Sequence, residues 1–243
     1  MLGFISLIIV MFIVVVIIVV SSRRTVTTPI PIQQKILVAV GDGSANNNSW
    51  YSSNGISWTA GTGVPFGTGD GVNVAYGNGR WVAVGTGSAN HSIWYSNDGK
   101  SWTIASGSPF GTGTGAGVAY GNGRWVAVGA GSANNNIWYS NDGITWTAGT
   151  GSPFGTGSGS NVSYDNGLWV AVGAGSTSGE NIWYSTTGIA WTVGTGSPFT
   201  TGTALQTQYN NGLWVAVGVS SSAGEHLWWS ADGMAWTLGT GSP

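Results

Sequence analysis

A segment that repeats five times is the feature that most limits how this chain can fold. Each copy contains a Val-Ala-Val-Gly run, and its glycine recurs at steps of 44, 44, 44 and 45 residues, as Gly41, Gly85, Gly129, Gly173 and Gly218. A Trp-Thr pair follows each run at nearly the same spacing, with its tryptophan at Trp58, Trp102, Trp146, Trp191 and Trp236. A period of this length, with several short strand-like runs inside it, is typical of a repeat architecture.

Each copy contains four runs that favour β-strands. In the third copy they cover residues 118–120, 124–128, 137–140 and 145–148, and they consist mainly of Val, Ile, Trp, Tyr and Thr. Asn122-Gly123 separates the first two runs and Asp142-Gly143 the last two, and both dipeptides favour tight hairpins. Neither alternate set of side chains in 124–128 is polar, which is typical of a sheet covered on both faces.

These features predict an all-β fold, a five-bladed β-propeller of four-stranded antiparallel blades, in which each blade is sandwiched between two others. The propeller domain covers residues 36–243, with repeats at about 36–66, 72–110, 116–154, 160–198 and 204–243. The first copy lacks an obvious opening strand. We interpret residues 29–32, within a linker at 23–35, as a degenerate first strand, because Pro29 and Pro31 are tolerable at an edge. An incomplete blade and a ring closed by a second chain are the alternatives.

The N-terminus belongs to a different class of sequence. Residues 1–20 are almost wholly apolar, and about 20 helical residues span roughly 30 Å, the thickness of a bilayer's hydrocarbon core. We therefore predict a single transmembrane helix within residues 1–22, in contact with the membrane through residues 2–20. A cleaved signal peptide is the alternative, but the run is long and no basic region precedes it.

The orientation in the membrane is open. Arg23, Arg24 and Lys35 follow the apolar run, and the positive-inside rule places them, and the repeats, in the cytosol. Three glycosylation sequons, at residues 47–49, 90–92 and 161–163, favour an exterior domain instead. We expect a single-pass membrane protein whose propeller lies outside the cell or on an envelope surface, with the cytosolic side as the alternative.

The charge balance excludes some classes of partner. Only 6% of the residues are charged, and the net charge is −2, so there is no basic stripe for nucleic acid. The chain has no cysteine, which excludes disulfides and thiolate metal sites. No cofactor is expected.

One turn in each repeat resembles a known family. Residues 94–103 read Trp-Tyr-Ser-Asn-Asp-Gly-Lys-Ser-Trp-Thr, and Asp142 and Asp232 occupy the same place in the third and fifth copies. This pattern resembles the Asp-box, or BNR, repeat of sialidase-like propellers, although here a glycine directly follows the aspartate. Asn54 and Thr187 replace the aspartate in the other copies. The resemblance implies the fold and not the activity, because the box is a structural turn. The blade number is similar to that of tachylectin-type lectins.

The residues do not predict an enzyme. Asp98, Asp142 and Asp232 occupy turns, where aspartate commonly caps the backbone, and no other pair of carboxylates suggests convergence. Sialidases bind a substrate carboxylate with clustered arginines, and we interpret Arg80 and Arg124 as solvated hairpin ends instead. The two histidines, His91 and His226, make no metal ligand set.

Binding is the favoured function, through the face that carries the longer loops and crossovers. The candidate ligand-binding residues there are Asn47, Asn48, Asn90, His91, Asn135, Asn136, Glu180, Asn181, Glu225 and His226. For the asparagines, a role in solvating the loop is an equal alternative. The phenylalanines of the crossovers, Phe66, Phe110, Phe154 and Phe199, are interpreted as plugs between blades.

Two hypotheses on function follow. The first is a membrane-anchored, non-catalytic propeller that binds glycans or a protein partner. The alternative is a structural or display protein of a virion or cell envelope, and a glycosidase-like enzyme is the least favoured.

Overall fold

The computed structural model describes residues 36–43, 47–87, 91–107, 109–196, 198–200, 202–220 and 226–241. These residues form five antiparallel sheets, each a simple meander, which are the blades of a β-propeller. The predicted all-β class and five repeats are confirmed. Within the described ranges, no helix has the length and apolarity needed to cross a bilayer. The anchor predicted at 1–22 and the linker at 23–35 lie outside the described residues.

The strands follow the repeat. Blade 1 contains β1 (Leu37–Val40), β2 (Ser49–Ser52) and β3 (Thr59–Ala60). Blade 2 contains β4 (Gly71–Gly77), β5 (Arg80–Gly85), β6 (Ile93–Ser96) and β7 (Thr103–Ile104). Blade 3 contains β8 (Thr114–Gly121), β9 (Arg124–Ala130), β10 (Ile137–Ser140) and β11 (Thr147–Ala148). Blade 4 contains β12 (Ser158–Asp165), β13 (Leu168–Ala174), β14 (Ile182–Ser185) and β15 (Thr192–Val193). Blade 5 contains β16 (Thr203–Asn210), β17 (Leu213–Val219), β18 (Leu227–Ser230) and β19 (Thr237–Leu238).

The hairpin turns form where the sequence predicts them. Asn122 and Gly123 have φ angles of 48° and 76°, and this pair of positive angles is the geometry that an Asn-Gly turn supplies between twisted strands. Blades 2 to 5 have four strands each, but blade 1 has three among the described residues. The degenerate strand predicted at residues 29–32 therefore stays a prediction.

Blade packing joins two different sheet faces. The valine face of a blade carries the side chains equivalent to Val82 and Val84, and it packs on the tryptophan face of the next blade. That second face carries the equivalents of Trp125, Ala127 and Trp146. Four such clusters join blades 1–2, 2–3, 3–4 and 4–5. In blades 2, 3 and 4 both faces are buried, so their strands read as nearly continuous apolar runs, as the sequence indicated. The valine face of blade 5 is partly exposed, so that blade is not sandwiched as expected.

Two further contacts repeat at each of these four interfaces. A parallel bridge joins neighbouring blades, at Thr62–Ser101, Ser106–Thr145, Thr150–Ala190 and Thr195–Ala235. A fully buried phenylalanine from each crossover packs on a tryptophan of the following blade, in the pairs Phe66–Trp94, Phe110–Trp138, Phe154–Trp183 and Phe199–Trp228. The interpretation of these rings as plugs between blades is confirmed.

Candidate functional site

The loop asparagines brace the backbone. Asn136 Oδ1 accepts a hydrogen bond from the Gly131 amide at 2.8 Å, while its Nδ2 donates to the carbonyls of Pro153 and Gly155 at 3.3 and 2.8 Å. The side chain therefore ties its own loop to the crossover that leads into the next blade. Asn48 makes the equivalent bonds in blade 1. Asn181 in blade 4 accepts from the Gly175 amide and donates to the carbonyls of Pro198 and Phe199.

Three of the candidate binding residues have this bracing role. Asn48, Asn136 and Asn181 are only 1, 1 and 2% exposed, and each amide bonds to backbone groups on both sides. A buried amide that is satisfied within the chain has little left to offer a ligand. For these three, the structure shows a backbone role, and ligand binding by them stays a prediction. Ser92 occupies the same position in blade 2 and donates to the Gly113 carbonyl at 2.8 Å.

The other candidates that the structure describes on the long-loop face are more exposed than these braces. Asn47, His91 and Asn135 are exposed, whereas Glu180 and His226 are half-buried. The backbone carbonyls of His91, Asn135 and Glu180 each accept a hydrogen bond of 2.9 Å from a tryptophan indole. Asn90 and Glu225 lie outside the described residues. Ligand binding by this outer set stays a prediction.

The structure adds a groove that the sequence reasoning missed. It has a volume of about 380 Å³ and lies along the innermost strands of blades 3, 4 and 5, β8, β12 and β16. Its lining includes Tyr120, Asn161, Ser163, Asp165, Gln206 and Gln208. Asp165 lies beside the hairpin turn, so the groove extends to the short-turn end of these strands, opposite the long-loop face.

Polar contacts position part of the groove wall. The Ser163 hydroxyl donates to the Thr207 carbonyl at 2.8 Å, and Asn161 Oδ1 accepts a long bond from the Thr207 amide at 3.4 Å. These bonds join the inner strands of blades 4 and 5. Gln206 and Gln208 are exposed, and their side chains can therefore reach a bound molecule.

Aromatic rings frame the same groove. Tyr120, Tyr164 and Tyr209 line it, and each packs in a tilted geometry on the tryptophan at the second position of the neighbouring strand, with centroid distances of 4.9, 4.8 and 5.2 Å. A ring held in this way keeps one orientation, which suits it to packing against the apolar side of a ligand. The groove thus combines fixed rings with amide and hydroxyl groups.

A departure from the repeat could have revealed this groove. Blade 3 has Gly117, Ala119 and Gly121 on its inner strand, whereas the equivalent residues are polar in the next two blades. They are Asn161, Ser163 and Asp165 in blade 4, and Gln206, Gln208 and Asn210 in blade 5. Comparing the copies position by position, instead of searching for motifs, would have found them.

The turn aspartates have a structural role. Asp142 Oδ1 accepts hydrogen bonds from the amides of Ile144 and Thr145, both at 2.8 Å. Partial burial by itself raises the pKa of Asp142, but these bonds, the Ser140 hydroxyl and the charge of Arg80 outweigh it, so the net pKa lies below the usual value. Asp98 and Asp232 are held in the same geometry with lowered pKa values.

The two arginines connect neighbouring blades. Arg80 Nε donates to Asn97 Oδ1 at 3.0 Å, and its guanidinium also donates to the Asp142 carbonyl of the next blade. Arg124 makes the equivalent bonds to Asn141 and to the Thr187 carbonyl. They lie at hairpin ends, as predicted, and each also donates a hydrogen bond to the next blade. Among the described residues, no group of three or more His, Asp or Glu side chains could hold a metal ion.

Comparison with known proteins informs the fold only. No protein-family model and no curated protein matches the chain. The crystal structure of the computationally designed Ika8 protein is similar, with a TM-score of 0.50, 12% identity and coverage of 80% of this chain and 54% of that one. The chain therefore spans about half the length of that protein. The structure of YjhT has a TM-score of 0.49 at 16% identity, covering 76% of this chain and 68% of that one. An endo-1,4-beta-xylanase from Bacteroides thetaiotaomicron has a TM-score of 0.45 at 14% identity, covering 84% and 90%.

Proposed function

We propose that this chain is a non-catalytic recognition propeller that binds a neutral carbohydrate in the groove of its inner strands. The observation that carries the proposal is the replacement of Gly117, Ala119 and Gly121 by amide, hydroxyl and carboxylate side chains at the equivalent positions of blades 4 and 5. A strand position that is small in one blade and polar in its neighbours is not explained by the packing that all blades share.

The chemistry of the groove fits a sugar. Amides can both donate to and accept from sugar hydroxyls, and the tyrosine rings can pack on C–H faces. The groove contains no lysine or arginine among its lining residues, so it offers no countercharge to an anionic ligand. Its volume of about 380 Å³ falls at the lower end of the 300–1,000 Å³ that is usual for small-molecule sites.

Binding is favoured over hydrolysis by the count of carboxylates. Asp165 is the one acidic side chain among the groove's lining residues, whereas glycoside hydrolysis ordinarily needs two carboxyl groups about 5–10 Å apart. An Asp165→Asn variant that abolished release of sugar from an oligosaccharide would establish an enzyme instead.

The direct test is a glycan array on the full chain, followed by calorimetric titration of the sugars that bind. Gln208→Ala introduces the residue that blades 2 and 3 already have at this position, Ala75 and Ala119, so the fold should tolerate it. We expect about a tenfold loss of affinity, since one hydrogen bond to a ligand contributes about 1–1.5 kcal/mol.

Asn135→Ala is the matched control, because it removes an exposed amide from the long-loop face. If it lowers affinity while Gln208→Ala does not, the ligand binds at the loops. If no sugar binds at all, the alternative of a structural or display protein replaces recognition.

We infer that the turn between the third and fourth strands is related to the Asp-box. The support is geometric: in blade 2 the Ser96 hydroxyl oxygen accepts the Gly99 amide at 2.8 Å, and Asp98 accepts the two amides after that glycine. In blade 1 Asn54 replaces the aspartate and accepts two equivalent bonds at 2.9 Å. If Ser96→Ala left the stability of the full chain unchanged in urea, a shared structural motif would be ruled out.

We also propose that residues 1–22 anchor the propeller to a membrane, with the propeller on the exterior side. The support is the length and apolarity of residues 1–20. Alkaline extraction of membranes should leave the chain in the pellet, and protease added to intact cells should digest the propeller. Release of a shortened chain into the medium would indicate a cleaved signal peptide.

A further inference from the structure

The apolar side chains that remain exposed lie on the two end blades. Within the described residues, blade 5 exposes seven large apolar side chains, namely Leu205, Leu213, Val215, Val217, Val219, Trp229 and Leu238. The other two, Ile56 and Val64, belong to blade 1 and its crossover. Blades 2, 3 and 4 expose none in their described parts. A concentration of this kind marks an interaction surface.

Three of the blade 5 residues, Leu213, Val215 and Val217, lie at alternate positions of β17 and form a valine face like those that are buried elsewhere. Val215 and Val217 are 37 and 40% exposed, although their counterparts Val82 and Val84 in blade 2 are fully buried. Four interfaces within the same molecule therefore show which kind of surface packs against a valine face. What covers a valine face in each of them is the tryptophan face of another blade.

The tryptophan face of blade 1 is uncovered at its Trp58 end, although Leu37 stands there in place of Trp125 and Ala39 is only 6% exposed. Trp58 is half-exposed, whereas its counterparts Trp102, Trp146, Trp191 and Trp236 are only 3–5% exposed. Ile56, beside Trp58, is the most exposed large apolar residue described, at 84%. The two end blades thus carry the two halves of one interface.

Specific contacts indicate that the chain does not pair these faces with each other. At the existing interfaces, the turn glycine of one blade lies against the valine face of the preceding blade, as Gly143 lies near Val82 and Arg80. The equivalent glycine of blade 1, Gly55, has only Leu37 of its own blade in reach. Likewise, the fifth parallel bridge that the repeat predicts, between Ser57 and Thr240, is not among the four that form, although both residues are described.

We propose that the valine face of blade 5 binds the tryptophan face of blade 1 in a second copy of this chain. The contact is head-to-tail, so it joins two different patches. Closing one chain on itself would instead require the four formed interfaces to shift, because the described end faces lack the contacts that those interfaces share. Each of these is a dense cluster with its own bridge, and close-packed interiors resist such deformation.

Engineered disulfides test the proposal cleanly, because the full chain has no cysteine of its own. Ser57→Cys and Thr240→Cys are placed on two differently tagged copies, purified in a mild detergent, mixed and gently oxidised. Both sites are exposed, and paired bridge residues approach within the Cα separation of about 4.4–6.8 Å that a disulfide needs. We expect a product of twice the chain mass that carries both tags.

Closure within one chain gives the opposite pattern. The double variant S57C/T240C would then form an internal disulfide at single-chain mass, and the mixture of single variants would form no product. That result overturns the proposal, as does the absence of product in both samples. Dimers from either single variant alone would also contradict a head-to-tail contact.

Two controls separate these outcomes from misfolding. T150C/A190C occupies a bridge that forms within one chain, so it should cross-link internally under the same conditions. Val217→Asp places a charge on the proposed contact and should lower the mixed product at least tenfold. The same substitution should leave the T150C/A190C yield unchanged.

Discussion

The valine faces of blades 3 and 5 have the same sequence and opposite surroundings. Val126 and Val128 in blade 3 are fully buried under blade 4, whereas Val215 and Val217 in blade 5 are 37 and 40% exposed. Both pairs lie in a Trp-Val-Ala-Val-Gly run. The strand pattern therefore defines a face that can be buried, and only the neighbouring blade decides whether it is.

A charge introduced into a buried valine face should have the largest effect on the stability of the fold. Val126→Asp places an unpaired carboxylate between blades 3 and 4, and we expect it to cost at least about 5 kcal/mol, enough to unfold a domain of ordinary stability. Val215→Asp is the matched control, and in a sample dilute enough to keep the chains apart it should change stability by about 0.5 kcal/mol or less. Urea unfolding of the full chain, followed by circular dichroism, measures both. Equal losses would mean that the face of blade 5 is covered as well.

The same contrast between a buried and an exposed residue occurs in the loops, where Asn136 is buried and the adjacent Asn135 is exposed. Asn136→Ala removes a buried brace and leaves the Gly131 amide and the Pro153 and Gly155 carbonyls without their partner. We expect a loss of about 1–3 kcal/mol. Asn135→Ala, one residue away and exposed, should be nearly neutral. A larger effect at Asn135 would contradict the bracing role.

The smallest predicted effect is on the stability of the fold at acid pH. The folded pKa values of Asp98, Asp142 and Asp232 are lowered, so their carboxylates stabilise the fold above the unfolded value of about 3.8. This contribution disappears as the pH falls through the lower, folded values. The triple variant D98N/D142N/D232N should therefore lose less stability between pH 6 and pH 3 than the parent chain.

Asn54 explains why that variant should fold. It occupies the aspartate's place in blade 1 and already accepts two turn bonds at 2.9 Å. The difference between the urea midpoints at the two pH values is the quantity to compare. An identical fall in the parent and the variant would show that these carboxylates are not the acid-sensitive groups.

Much of the fold follows from the sequence because it depends on local chemistry. Asn-Gly turns require positive φ angles, so Asn122 and Gly123 predict their hairpin without knowledge of the rest of the chain. The buried position of Phe110 also follows, since an apolar ring recurs once per crossover. The five copies of the repeat then predict five blades.

The candidate site was harder to predict because its features depend on contacts between copies. Nothing near Asn136 in the sequence indicates that its amide reaches the Gly155 carbonyl of the crossover. Gln208 differs from Ala119 at an inner strand, but only the packing of three blades turns that difference into a groove. Closure of the ring was equally hard to predict, since the valine face of blade 5 has the same sequence as the covered valine face of blade 3.

Side-chain footprinting with hydroxyl radicals tests the central claim most directly, because it reads the exposure of equivalent residues within one molecule. Leu168 and Leu213 occupy the same position in blades 4 and 5, and Leu168 is 6% exposed where Leu213 is 43% exposed. In the most dilute sample of the full chain, Leu213 should be oxidised several times faster than Leu168, and its protection should rise with protein concentration. Protection of Leu213 equal to that of Leu168 at every dilution would contradict the account, since it would mean that the fifth valine face is covered within a single chain.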